Sequence, residues 1–122
     1  RGTGPVLGWA NIARQYYQRY RKPLMLTETN VGDPENGPDW LWKTWHNLAL
    51  LRAEGVPVVG YTWYSLQNQV DWDIVLREVR GREVGNGLFK LDRSPNPVAH
   101  AFRQLCDRYG SEPLLDDFAM GE

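Results

Sequence analysis

Two short apolar runs limit what this chain can fold into. The first opens the stretch LMLTETN and covers Leu24 to Glu28; the second, PVVGYTWY, covers Pro57 to Tyr64. The first carries three large apolar side chains into a glutamate. The second is rich in β-branched and aromatic residues, which marks a strand. Helical periodicity separates them. Two strands joined through a helix favour a parallel pair with a right-handed crossover. A parallel sheet needs cover on both faces, and two strands alone leave both edges with unpaired backbone groups. The pattern therefore predicts strands that complete a larger sheet, with a carboxylate at the mouth of a buried strand. Such a carboxylate is costly unless it is paired, and costs of that kind cluster at functional sites.

The flanking segments read as helices. Trp9, Ile12, Ala13, Tyr16, Tyr17 and Tyr20 recur at helical spacing, and Pro23 ends that helix. Val31 to Asp39 is predicted to be loop, with Asp39 the N-cap of a second helix. That helix has the stripe Leu41, Trp45, Leu48 and Ala49, with Leu51 beside it, and stops at Gly55. Ser65 to Arg93 is a long polar segment with turns at Arg80-Gly81-Arg82 and Asn86-Gly87. Pro95-Asn96-Pro97 opens a third helix, with Val98, Ala101, Phe102, Leu105 and Tyr109 on one face and Gly110 at its end. Residues 1–110 are expected to form one structural portion and residues 111–122 a tail. The order is helix, strand, helix, strand, helix, an α/β pattern. In a (β/α)8 barrel the active site lies at the C-terminal ends of the strands. Glu28 occupies such an end, and the loop after Tyr64 leaves from the same face.

Composition removes other classes. The chain has 122 residues, with 14 basic against 15 acidic side chains and a net charge of -1, which argues against a nucleic-acid surface. No apolar run is long enough to span a bilayer, and no signal-peptide pattern opens the chain. The single cysteine, Cys106, cannot form an internal disulfide, which fits a reducing compartment such as the cytoplasm. In the third helix it reads as a packed thiol. His46 and His100 lack ligand spacing, so no metal site is expected. No glycine pattern of a nucleotide site occurs, and no cofactor is expected. Arg77, Arg80 and Arg82 interleave with Glu78 and Glu83, which reads as a solvated loop. Six Trp and six Tyr can fill a core, stack on sugar rings or line an interface.

Three motifs in order carry a resemblance. LMLTETN, GYTWYSLQNQVDWD and GLFKLDRSPNPVAHAF together resemble the last quarter of a family 1 glycoside hydrolase, over roughly residues 9 to 109. The resemblance implies the C-terminal part of a (β/α)8 barrel: its last two βα units and the preceding helix. It implies a retaining β-glycosidase with Glu28 as nucleophile. It implies sugar contacts from Tyr64, which stacks, from Asp71, which accepts from hydroxyls, and from the adjacent Trp72. It also implies a cis peptide bond at Tyr64-Ser65. Trp63 reads as core, because neighbours on a strand point to opposite faces. The carbohydrate substrate is the expected partner, together with an N-terminal barrel portion. The loop-like start, Arg1-Gly2-Thr3-Gly4-Pro5, reads as mid-chain, and the family's acid/base glutamate would lie upstream of it. The chain alone is therefore not expected to turn over a glycoside. Departures from the family pattern fall at Thr29, Tyr64, Gln67-Asn68-Gln69 and Asp71. They fit a divergent subgroup with a different sugar or leaving group. The alternative is a non-catalytic carbohydrate-binding or interaction domain derived from a glycosidase.

Overall fold

The computed structural model describes residues 8–112; most of the expected tail lies outside them. Helices and strands mix, giving an α/β chain: α1 Gly8–Tyr20, β1 Leu24–Thr29, α2 Gly37–Ala53, β2 Val58–Trp63, β3 Gln69–Val70, β4 Glu83–Val84 and α3 Pro97–Tyr109. Single 3-10 turns occupy Pro34–Asn36 and Trp72–Ile74. The described residues group into two compact units, one of residues 8–27 and 43–61, the other of residues 28–42 and 62–111.

β1 and β2 form a two-stranded sheet. Where both strands begin, the Leu24 N–H donates to the Pro57 carbonyl at 2.9 Å; where both end, the Tyr64 N–H donates to the Thr29 carbonyl at 3.0 Å. Beginnings beside beginnings make the pair parallel, and α2 is its crossover. Among the described residues neither strand has a second neighbour. The expectation of a buried first strand is corrected accordingly. No residue of β1 is fully buried, and Met25 is 51% exposed, because among the described residues no further strand pairs with the sheet.

The first unit is built around Ala10 and Ala13 of α1, Leu48 and Leu51 of α2, and Val56 and Val58. Trp9, Tyr17, Leu24, Trp45 and Tyr61 pack against this cluster. The predicted α1 stripe is thus divided. Its Ala13, Tyr17 and Trp9 face the core, while Ile12, Tyr16 and Tyr20, spaced at i, i+4 and i+8, are more than half exposed. α2 stops as Gly55 requires. Gly55 has φ +83°, a conformation in which a side chain would clash with the backbone. Its N–H donates to the Arg52 carbonyl and the Val56 N–H to the Leu51 carbonyl, both at 2.9 Å. These are the two bonds of a Schellman ending, and the buried Leu51 and Val56 supply the apolar contact that accompanies it. Ala49, expected in the stripe, is exposed.

The second unit corrects the start of α2. Asp33, not Asp39, is the capping residue. Its carboxylate accepts from the Glu35 N–H at 3.1 Å and from the Asn36 amide at 2.6 Å, holding the 3-10 turn that feeds the helix. α2 then begins at Gly37-Pro38, and Asp39 lies in its first turn, where a negative charge suits the helix dipole. α3 starts with Pro97 at its first position, where a missing N–H costs nothing. Val98, Ala101 and Leu105 are its buried residues. Cys106 is exposed, which corrects its reading as a packed thiol: it sits one step off the buried stripe.

Candidate functional site

Glu28 is the penultimate residue of β1 and is exposed. Its carboxylate makes no hydrogen bond or ion pair to any described residue. The next residue is anchored: the Thr29 hydroxyl accepts from the Trp40 indole N–H at 2.8 Å, and the Thr29 carbonyl accepts from Tyr64. The end of β1 is therefore held from α2 and from the end of β2, and Glu28 stands free beside these anchors.

Tyr64 follows β2. Its ring meets the Trp72 ring at 6.0 Å between centroids, tilted by 45°. Gln69 donates from its side-chain amide to the Tyr64 hydroxyl. The Tyr64–Ser65 peptide bond is cis. Trp63, by contrast, is buried and donates its indole N–H to the Asn86 carbonyl at 3.0 Å. Two of the predicted sugar-contact residues, Tyr64 and Trp72, are thus brought together as an aromatic pair, with Trp72 38% exposed.

Asp71 is arranged differently. It is 5% exposed and has φ +56°. Its Oδ2 accepts from the backbone N–H groups of Arg80 at 2.8 Å and Gly81 at 2.9 Å, and its Oδ1 from that of Arg82 at 2.9 Å. The Arg82 bond, followed by those from Gly81 and Arg80, holds the carboxyl below the ordinary aspartate range, against the opposing effect of burial. Because the folded-state value is lowered, the carboxylate contributes stability above the ordinary range and loses it as pH falls towards the folded value. Trp72 and Asp73 begin the loop that Asp71 closes. Asp73 pairs with Arg82 at 3.1 Å, and Arg80 pairs with Glu78 at 2.7 Å.

A set of buried asparagines underlies this loop, and sequence reasoning missed it. Asn68, Asn86 and Asn96 are all nearly inaccessible. The Asn68 Oδ1 accepts from the Gly87 N–H at 2.9 Å and from the Asn96 amide at 2.7 Å. Asn96 also donates to the Gly87 carbonyl at 2.9 Å. Asn68 donates to Glu83 at 2.7 Å, and the Gln69 N–H donates to Asn86 at 3.2 Å. Asn96 stands at the N-cap position of α3, yet its side chain caps nothing and turns to this network instead. The antiparallel pairing of β3 with β4, Gln69 opposite Val84 and Val70 opposite Glu83, lies within it. The signal in the sequence was the pair Gln67-Asn68-Gln69 and Asn86-Gly87, polar residues that a solvated loop does not need.

An open cleft of about 520 Å³ is lined by Asn30, Trp72, Asp73, Arg82, Glu83 and Asn86, among others. Asn30 lies two residues beyond Glu28; Glu28, Tyr64 and Asp71 do not line it. An aromatic wall beside amide, carboxylate and guanidinium groups can offer stacking and hydrogen bonds to a polyhydroxylated molecule. Among the described residues no group of three or more His, Cys, Asp or Glu could hold a metal ion, and no helix is long and apolar enough to cross a membrane. No protein-family model matches the chain, and no curated protein matches it either.

Proposed function

We propose that the chain is the C-terminal part of a retaining β-glycosidase of the family 1 type, comprising the last two βα units and the preceding helix of a (β/α)8 barrel. The observation that carries this reading is the shared strand end. Glu28, unpaired, lies at the C-terminal end of β1, and the Tyr64–Trp72 pair follows the C-terminal end of the parallel neighbour. A barrel glycosidase presents its nucleophile and sugar platform from that end of the strands. The two outer edges of the sheet, the exposed Met25 and the exposed row Ile12, Tyr16 and Tyr20 support a larger barrel that covers them.

The chemistry follows from the carboxylate. Glu28 attacks the anomeric carbon, and the glycosidic bond breaks as a second carboxylic acid, on an earlier strand, protonates the leaving oxygen. The resulting glycosyl ester of Glu28 is cleaved by a water that the second residue, now a base, deprotonates. The two carboxyl groups of such an enzyme stand roughly 5–5.5 Å apart. Tyr64 and Trp72 stack on the sugar. The test is Glu28→Gln in the full-length protein with an aryl β-glycoside. An amide cannot form the ester, so kcat falls by at least about a thousand-fold. Unchanged turnover removes the nucleophile assignment.

A further inference from the structure

The family resemblance casts Asp71 as a direct acceptor from sugar hydroxyls. We infer instead that Asp71 is a positioning residue: its carboxylate closes the loop of residues 71–82, and through that closure it fixes the cleft wall of Trp72, Asp73 and Arg82. This inference rests on the glycosidase reading for its catalytic meaning.

Three observations support it. First, the carboxylate is committed. A carboxylate offers about four lone-pair sites, and three of them already receive backbone N–H groups at 2.8–2.9 Å. Second, those donors come from consecutive residues, Arg80, Gly81 and Arg82, at the far end of the loop. Successive backbone N–H groups form an anion-binding concavity, and here the anion is a side chain of the same chain. The Asp71 N–H completes the closure by donating to the Arg82 carbonyl at 2.8 Å. Third, the groups that reach the cleft flank the closure. Trp72 and Asp73 follow Asp71 directly, and Arg82 is both a closure donor and the partner of Asp73 at 3.1 Å. Asp71 itself does not line the cleft. Aspartate also suits this work better than the family's glutamate, since one methylene more moves the oxygens away from donors already at contact distance.

The loop between carries Val75, Leu76 and Val79, which are exposed. No apolar packing of these residues holds the loop; turn bonds from the Val75, Leu76 and Arg77 N–H groups to the Trp72, Asp71 and Ile74 carbonyls shape its first half, and the closure at its base fixes the return at residues 80–82.

The experiment uses the full-length protein with Asp71→Asn and Asp71→Glu. The first readout is amide hydrogen exchange at Arg80, Gly81 and Arg82 without ligand. Both variants are expected to lose protection there while Leu51 and Val58 keep theirs; retained protection at residues 80–82 overturns the closure. The second readout is kcat/KM for a β-glycoside and its monodeoxy analogues. A displaced wall lowers kcat/KM by about tenfold or more, within the range of a misplaced contact, and by the same factor for every analogue. A loss that vanishes for one analogue, or full activity in Asp71→Glu, identifies a direct hydroxyl contact and overturns the positioning role. If the unmodified protein turns over no glycoside but exchange at residues 80–82 responds as expected, the glycosidase reading fails and the closure stands as a structural device only.

Discussion

Gly87→Ala tests whether the buried asparagines hold the segment after β2. A Cβ at Gly87 would stand 2.3 Å from the Gln67 carbonyl carbon, 2.4 Å from the Asn68 nitrogen and 2.7 Å from the Gln67 oxygen. Carbon pairs rest at about 3.5 Å or more, so the segments must part by about 1.2 Å. All three obstacles are backbone atoms, and no rotamer change relieves them. A separation of that size takes the Gly87–Asn68 bond from 2.9 Å past the range of a hydrogen bond. The Leu88–Ser65 and Phe89–Leu66 bonds, each 2.9 Å, span the same gap. Overpacking costs about 1–3 kcal/mol, and three lost hydrogen bonds add about 0.5–1.5 kcal/mol each, for about 2.5–7.5 kcal/mol in total. That is a large share of the roughly 5–15 kcal/mol of a typical domain. Native-state amide exchange at Leu88, Phe89 and Asn96 reads the loss locally, and urea unfolding reads it globally. Gly32→Ala is the control: its Cβ would meet only a Val84 methyl, at 3.9 Å, and its effect should stay within about 0.5 kcal/mol. If Gly87→Ala matched that control, the close approach would be refuted.

Two further outcomes are expected. Burial pushes the Tyr61 phenol up to about 12, against a smaller opposing effect of its hydrogen bond with Thr44. A raised folded-state value means its contribution is complete below the ordinary value near 10 and is lost as pH rises through about 12. In a near-ultraviolet titration a phenol step is therefore expected near pH 12 and should be missing in Tyr61→Phe; a Tyr61→Phe difference spectrum with no step there contradicts this. Expressed by itself, the chain should fold poorly or self-associate, because among the described residues neither outer edge of the β1–β2 sheet is paired. Sedimentation is expected to show concentration-dependent oligomers, whereas a sharp, cooperative melt of a monomer contradicts the open edges.

The parts of the fold legible in the sequence are those fixed by local chemistry. Pro97 starts α3 and Gly55 ends α2 because only particular residues satisfy those positions. The strands β1 and β2 stood out because apolar runs between turn residues have few other uses. The choice between Asp33 and Asp39 as cap was not legible, since both carry the same carboxylate and only the 3-10 turn separates them. The exposure of Glu28 was not legible, because it depends on what covers the sheet rather than on the strand itself. Asp71 shows the limit most clearly. Its bonds reach residues 80–82, and no local pattern distinguishes a carboxylate that binds backbone from one that awaits a ligand. The same holds for Asn68, Asn86 and Asn96, whose partners lie up to 28 positions apart.

The most direct test of the nucleophile is to capture its ester. A β-glycoside with fluorine at C2 and an activated leaving group slows both steps, because the oxocarbenium-like transition state loses stabilisation at C2. The good leaving group lets the first step proceed, so the glycosyl-enzyme accumulates. Mass spectrometry of peptides from the full-length protein should then find one glycosyl residue esterified to Glu28. A label on another side chain, or an unlabelled protein that still turns over β-glycosides, contradicts the account.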